Sequence, residues 1–481
     1  MTGQEALEYL GKLRMLGMKL GLENMRELSE RIGAPHERLR FIHVAGTNGK
    51  GSTSAFLASC LRKAGYRVGL FTSPHLVSLC ERIQINGVPI SMEELAEGVS
   101  ELQVVAAQMA EAHEADADNP GRATFFEFIT ALALWTFERN KTDWVVWETG
   151  LGGRFDATNI VTPECSVITS IALDHAAHLG NTTALIAAEK AGIIKPQVPV
   201  VSGVLDPQAL EVIHRRAADL DAPLEHIPAD AARNLGIIRG RQRARIGERA
   251  YTLGLLGPHQ VRNAACARAA LEILRERGRC FITDAMIADG LAEAVWPGRF
   301  QVLRANPPLV VDGAHNPDAI HRLVETWQAA YGDRRCTLIC GFLQDKKWDS
   351  MAQVLGTIAD DVLVVGVASA RTSDPAEVAQ LFGHRARAFE NLAAAWPEIR
   401  RIVREGPEPD TDAEAPEREG IATDAKPADE QETRPREGRA VLVAGSLFLV
   451  GEFLARRDGA DSLFDMNEHL EPSPASARPI T

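Results

Sequence analysis

The 481-residue sequence predicts an α/β protein built in two unequal parts, each a largely parallel sheet covered by helices on both faces. Three observations point there. Short runs rich in β-branched and aromatic residues alternate with longer helical patterns. Each short run stops at a small or turn-forming residue. The alternation breaks at Pro297-Gly298 and then starts again.

In chain order, the first part offers the strands RFIHVAG (40–46), RVGLFTS (67–73), DWVVWETG (143–150), SVITSI (166–171) and VPVVSG (198–203). Between them lie helical patterns such as GSTSAFLASCLRKAG, TFFEFITALALWTFERN and TALIAAEKAGII, and two more, HQVRNAACARAALEILRERG and TDAMIADGLAEAVW, close this part. After the break come PPLVVDGAH, RLVETWQAAYG, CTLICGF, DVLVVGV and RAVLVAGS, the outline of a smaller, Rossmann-like α/β domain. The expected spans are 1–297 and 298–458, followed by a frayed tail, 459–481. Residues 405–438, rich in Glu, Asp, Pro and Ala, cannot bury enough apolar surface to offset the entropy of ordering. They are expected to form a disordered acidic insertion looping out of the second part.

Composition narrows the function classes. Hydrophobic residues at 45% and charged residues at 24% are those of a globular chain, and a net charge of −13 argues against a broad nucleic-acid surface. The seven cysteines are scattered without a C-x-x-C pair, as expected of reduced, buried thiols rather than a disulfide framework or zinc site. The N-terminal stretch is charged throughout, and no apolar run approaches the roughly 18 residues that span a bilayer. A cytoplasmic monomer with neither nucleic acid nor membrane as partner is expected.

Chemistry gathers at the carboxyl ends of the strands, where open α/β sheets bind ligands. HVAGTNGKGSTSAFL (43–57) reads as strand, glycine-rich turn and helix. Such a turn aims backbone N–H groups and a helix dipole at a phosphate, and Lys50 would reach distal phosphates as a point charge. The general pattern G-x-x-x-x-G-K-[ST] would need Gly at 44 and Ser or Thr at 51, whereas the chain has Val44 and Gly51. A plain glycine-rich turn with an exposed lysine is the alternative.

Glu148 ends an apolar strand, so its carboxylate should sit at the sheet edge needing a partner or a metal, and the glycines after it allow a tight turn before Asp156. SVITSI delivers Asp174 and His175 to the same edge, with Glu189 and Lys190 on a helix just beyond. A hard cation such as Mg²⁺ prefers oxygen ligands, so one imidazole is a less usual member of such a set. An ammonium at Lys190 would repel a metal beside Glu148, and carbamylation by CO₂ would turn it into an anionic ligand; an ordinary surface or ion-paired lysine is the alternative. In the second part VVDGAHNPDAI ends a strand with Asp312 and His315, suited to ribose hydroxyls and to an anionic substrate, while Asn316 is better read as a helix cap.

GTNGKGS, TSPHL with ERIQING, TFFEFITALAL, ETGLGGRFDATN, SIALDH followed by LG and EKAGI, GRF, DGAHNP and VLVAGSLFLVGE occur in this order. Together they resemble the folylpolyglutamate synthase and dihydrofolate synthase family of the Mur ligase superfamily, over the chain to about residue 457 apart from the acidic insertion. The family carries G-K-G-S at the phosphate turn, so Val44 and Gly51 conform to it. The resemblance implies a P-loop-type ATPase domain and an ATP-dependent ligase that adds L-glutamate to a reduced folate, to dihydropteroate, or to both, through an acyl phosphate. By the same resemblance Thr47, Asn48, Gly49, Lys50, Gly51 and Ser52 embrace the ATP phosphates, and Asn263, Arg299 and Asp312 complete the nucleotide site. Ser73, Glu148 and His175 would hold Mg²⁺, two ions being expected, with Lys190 carbamylated. The pterin would lie near the loop GMKLGLENM, Arg82, Phe126 and Asp156. His315 and Ser446 would meet the incoming glutamate, and Lys50, Lys190 and His315 would serve catalysis. A Mur ligase of peptidoglycan synthesis and a catalytically silent ATP-binding regulator are the rivals; TSPHL and the short second part count against the first, and the set Lys50, Glu148, His175 and Lys190 against the second.

Overall fold

The computed structural model describes residues 1–14, 17, 21–113, 121–404 and 439–458. The acidic insertion 405–438, the tail 459–481 and part of the GMKLGLENM loop therefore lie outside the described residues. Two sheets carry the fold, as the alternation predicts.

The first has eight strands: β1 (Phe41–Ala45), β2 (Val68–Phe71), β3 (Ile83–Ile85), β4 (Val88–Pro89), β5 (Trp144–Glu148), β6 (Cys165–Ile168), β7 (Val200–Ser202) and β8 (Leu224–His226). Their order is β4-β3-β2-β5-β1-β6-β7-β8, parallel from β2 to β8. The chain leaves β1 on one side for β2 and returns on the other for β6. The carboxyl end of β1 is thus a topological switch point, the place where such sheets bind ligands.

Strand periodicity sorts the core. Along β5, Trp144 and Val146 enter one apolar cluster with Phe56 and Leu57 of the helix Lys50–Lys63, while Val145 and Trp147 enter another on the opposite face with Phe128 and Leu132. Both faces being covered, the strand reads as continuously apolar rather than alternating. Glu148 is the first residue of that run to reach the edge.

A three-stranded antiparallel sheet follows: β9 (Ala232–Ile238), β10 (Arg241–Ile246) and β11 (Arg249–Leu253). The second large sheet comprises β12 (Gln301–Ala305), β13 (Pro308–Val311), β14 (Cys336–Cys340), β15 (Ala359–Val365), β16 (Ala386–Phe389) and β17 (Ala440–Ala444). Its order is β12-β13-β17-β14-β15-β16, parallel except for β12. Cys336 and Cys340 face one cluster with Leu338, and Ile339 faces the other, as their even spacing predicts. All seven cysteines are free and buried. Among the described residues no helix is long and apolar enough to cross a membrane.

The antiparallel elements were not legible in the strand–helix alternation. In β10 the buried positions are Gln242, Ala244 and Ile246 while Arg241 and Arg245 are exposed, so RQRARI carries a single large apolar residue, too few to mark a strand. The usable signal is its turn. Arg239 and Gly240, the two residues linking β9 to β10, both have positive φ, the requirement of a tight hairpin loop that glycine eases.

One buried polar group gives the fold a pH dependence. His43 on β1 is fully buried, and burial pushes its pKa down to about 3. The unfolded chain, with histidine near its usual value, then binds more protons than the folded one between pH 3 and about 6.5, so stability from this group falls as pH drops through that window. The slope can reach about 1.4 kcal/mol per pH unit. Denaturant melts of wild type and His43→Gln across pH 4–7 should differ by that slope; parallel curves would show that His43 is not held neutral.

Candidate active site

Residues brought to the switch point surround one cavity of about 940 Å³ between the two large sheets. The phosphate turn forms part of its wall. Gly46 and Gly49 adopt φ of 155° and 85°, and a Cβ on either would collide with Thr169 Oγ1 (1.9 Å) or Asn263 Oδ1 (2.4 Å). Both glycines are therefore required by the turn and by its close neighbours. The helix Lys50–Lys63 begins at Gly49 without a side-chain cap, so its first N–H groups remain for an anion at the positive end of the dipole. The neighbouring sheet edge pins the turn. Thr47 N–H donates to Ser170 O (2.8 Å), and Thr169 Oγ1 and Ser170 Oγ donate to Asn48 O (2.7 and 2.8 Å). Lys50 Nζ donates to Gly46 O and Thr47 O (3.0 and 3.3 Å), at the centre of the turn.

The departure from the general loop pattern at residue 51 has a steric cause. A Cβ on Gly51 would lie 2.7 Å from Trp296 Nε1 and 3.0 Å from Trp296 Cε2. The indole immediately before Pro297 thus packs on the phosphate turn and excludes the usual Ser or Thr. Gly51→Ser, which restores the general pattern, should lower kcat/KM for ATP by about tenfold or more by displacing the turn or the indole. Steady-state kinetics decide, and unchanged constants would show that the contact does not fix the turn.

Across the cavity, Glu148 is 3% exposed, and its carboxylate has one hydrogen bond among the described residues, from Ser73 N–H at 3.2 Å. Burial raises its pKa to about 7, against the pull of Lys50 and Arg299. His175 stands at φ +50°, a left-handed conformation unusual outside glycine, at the end of the β6 edge. Burial lowers its pKa to about 4, leaving a neutral imidazole. Lys190 is buried at the end of the helix Thr183–Lys190, and burial together with the charge of Lys50 brings its pKa down to about 7. The surface-lysine alternative for Lys190 is excluded. Among the described residues no three His, Cys, Asp or Glu side chains converge as a metal-holding group.

The second sheet supplies the facing wall. Asp312 is buried at the end of β13, and burial raises its pKa while Arg299 opposes; its carboxylate accepts from Phe300 N–H and Ala314 N–H (2.7 and 2.8 Å). His315 Nδ1 bonds Gly313 O (2.8 Å), which places the proton on Nδ1 and leaves Nε2 as acceptor. Asn316 caps the helix Pro317–Tyr331 through Ala319 N–H, the role expected of it. Ser446 Oγ accepts from Phe448 N–H at the start of the last helix. Asn263 and Phe126 also line the cavity, as does Asp156.

Arg82 does not. It is wholly buried, donates through Nε to His75 Nδ1 (3.0 Å) and lies 5.4 Å from the centre of the Phe125 ring.

Sequence reasoning missed the residues that tie the two walls together. Asn48 Nδ2 donates to Asp318 Oδ2 (2.9 Å), and Asp174 accepts from Asn316 Nδ2 and from Lys346 Nζ, both at 3.0 Å. Burial works against the Asp174 carboxylate, but Lys346 beside it holds its pKa well below the usual range. Lys346 follows β14 in GFLQDKKW, and its place just past a strand end was the available signal.

A glycine-rich turn with an uncapped helix start at the switch point of one parallel sheet, facing Asp312, His315 and Lys346 of a second α/β sheet, is the arrangement expected of a nucleotide-dependent ligase of the Mur type. Comparison with known proteins agrees. The Mur ligase middle domain matches residues 44–271, and the Mur ligase, glutamate ligase domain matches residues 298–411. The dihydrofolate synthase/folylpolyglutamate synthase of Bacillus subtilis (strain 168) is 40% identical over 363 residues, covering 74% of this chain and 83% of that protein. The enzyme of the same description from Escherichia coli (strain K12) is 33% identical over 401 residues, 81% of this chain and 87% of the relative. Among solved structures, Mycobacterium tuberculosis folylpolyglutamate synthase complexed with ADP superposes with a TM-score of 0.79 at 28% identity, covering 96% of this chain and all of the other. E. coli FolC in complex with DHPP and ADP gives 0.76 at 29%, over 95% and 98%. The chain belongs to the folylpolyglutamate synthase/dihydrofolate synthase family.

Proposed function

We propose that this protein joins L-glutamate to the carboxylate of a pterin-bearing acid, dihydropteroate or a reduced folate, with cleavage of ATP to ADP and phosphate. The observation that carries this reading is the shared cavity: the phosphate turn, the Glu148–Ser73 edge and the His315 wall all open into one space. A carboxylate is a poor electrophile. Its oxygen attacks the γ-phosphorus, the bond from that phosphorus to the ADP oxygen breaks, and an acyl phosphate forms. The glutamate amine then attacks the acyl carbon and phosphate leaves with the carboxylate oxygen.

The residues divide this work. N–H groups of Thr47 to Ser52 and the Lys50 ammonium receive the phosphates, and Asn263, Arg299 and Asp312 hold the rest of the nucleotide. Positioning supplies much of the rate, since both steps need two anionic or polar partners held in line. His315, neutral with Nε2 free, accepts a hydrogen bond from the glutamate amine and aims its lone pair, and Ser446 meets a glutamate carboxylate. Phe126 and Asp156 face the pterin.

Mg²⁺ fits the donor set. Glu148 is a buried carboxylate with one N–H partner, His175 is neutral, and both line the same cavity as Ser73. A small hard cation takes few protein ligands and completes its shell with water and phosphate oxygens. When bound it neutralises charge that builds on the transferring phosphoryl group. Lys190 fits carbamylation, because a pKa near 7 leaves much of the amine uncharged at neutral pH, the form that adds to CO₂. A crystal structure, or ¹³C NMR after ¹³CO₂ labelling, should show the carbamate carbon on Nζ; a bare amine under both would remove that proposal.

Phosphate release by the purified protein with ATP and glutamate tests the reading. Dihydropteroate or tetrahydrofolate should stimulate it, and comparing them separates one activity from two. Stimulation by a UDP-linked muropeptide instead would transfer the protein to peptidoglycan synthesis, and silence with all three would make it a regulator.

A further inference from the structure

The Asp156 carboxylate is held by a buried chain of hydrogen bonds that runs in one direction. Thr158 N–H and Thr158 Oγ1–H both donate to Asp156 Oδ1 (3.1 and 2.5 Å), and Leu151 N–H donates to Oδ2 (2.8 Å). Because the Thr158 hydroxyl uses its proton on Asp156, it must accept from His43 Nε2 at 3.0 Å, which fixes the Nε2–H tautomer of that histidine. His43 and Thr158 are both 0% exposed, and neither lines the cavity.

The arrangement leaves the carboxylate asymmetric. Oδ1 takes both Thr158 donors, whereas Oδ2 has one hydrogen bond, from Leu151 N–H, with the Gly150 N–H also acting on the carboxylate, and Asp156 lines the cavity. An aromatic ring lines the same cavity. Phe126 packs over Gly150, where a Cβ would come within 2.5 Å of Phe126 Cζ, so the ring cannot be crowded away from the wall. A flat face and a carboxylate acceptor in one cavity suit a heteroaromatic ring carrying an N–H donor on its edge.

We propose that Thr158 is the positioning residue for recognition of the pteridine ring: its hydroxyl, itself oriented by His43, turns Asp156 so that Oδ2 meets the N–H edge of a ring lying against Phe126. This rests on the functional reading above. The Thr158 hydroxyl is also the largest influence opposing the rise that burial imposes on the Asp156 pKa.

The test is steady-state kinetics at saturating ATP and glutamate, with dihydropteroate or tetrahydrofolate, whichever the wild type uses, as varied substrate. Thr158→Val removes the hydroxyl at nearly constant volume and should raise KM for the pteridine about tenfold, the worth of one hydrogen bond, with kcat within about threefold and KM for ATP unmoved. Thr158→Ser restores the hydroxyl and should return KM to within about threefold of wild type. Should Thr158→Val not fold, Thr158→Ala deletes the same group and is read by the same split against Thr158→Ser. An unmoved pteridine KM, or an equal loss in the ATP and pteridine constants, would overturn the inference while leaving the functional reading in place. Wild-type protein that turns over no pteridine carboxylate would overturn both.

Discussion

Lys50→Ala is expected to reduce turnover by about a thousandfold or more without unfolding the protein. The hydrogen bonds of the side chain all go to the carbonyls of Gly46 and Thr47 in its own turn, and its charge also favours the distant Glu148 carboxylate. On the proposed reading that charge is the one cation of residues 46–52 available to the distal phosphates. Removing a single donor aimed at developing charge commonly costs about 10²–10³ in rate, and a full positive charge in a partly buried site is worth at least as much. Single-turnover phosphate release and a thermal melt together check this: the rate should collapse while the melting temperature moves little. Near-normal turnover would refute the assignment of residues 46–52 as the phosphate site.

Glu148→Gln should separate stability from activity even more sharply. The carboxylate sits almost wholly buried with one hydrogen bond among the described residues, from Ser73 N–H, and burial outweighs the pull of Lys50 and Arg299, an arrangement unfavourable for an anion. Glutamine has the same shape and no charge, so the melting temperature of the metal-free protein should stay level or rise. Turnover should fall by about 10³-fold, and the thermal protection that Mg·ADP gives wild type should shrink, because an amide is a poor ligand for a hard cation. A destabilised variant that keeps its activity would mean that Glu148 serves the fold and not the reaction.

Charged residues at positions poor for packing made the candidate site partly legible in the sequence. An acid at the end of the apolar run DWVVW and a lysine in a glycine-rich turn after FIHVA stand out by position along a strand, but a simple strand-end acid and an exposed lysine fit those positions as well until the motifs are taken together. The parallel strands were legible for the related reason that burial on both faces writes them as unbroken apolar runs. What was not legible depends on contacts distant in sequence. Nothing near Gly51 announces Trp296, nothing near Asp174 announces Lys346, and Asp156 gives no sign that its partner's partner is His43, more than a hundred residues earlier. The contacts of Arg82 with Phe125 and His75 are likewise distant from anything its own stretch of sequence shows.

The same long-range contacts shape how the two walls meet. Asn48 of the phosphate turn bonds Asp318, and Asp174 bonds both Asn316 and Lys346, so residues of the first sheet's edge are held by the helix and loop of the second. Such polar pairs are strong where water is excluded and exchangeable where it is not. They give the walls a defined separation, which a reaction between three separately bound substrates requires.

The central claim is that ATP activates the pteridine-bearing carboxylate by taking its oxygen. Substrate labelled with ¹⁸O in that carboxylate, turned over with ATP and L-glutamate, tests it most directly by mass analysis of the released phosphate. One ¹⁸O should appear in each phosphate formed with amide product; amide formed with unlabelled phosphate would contradict the account.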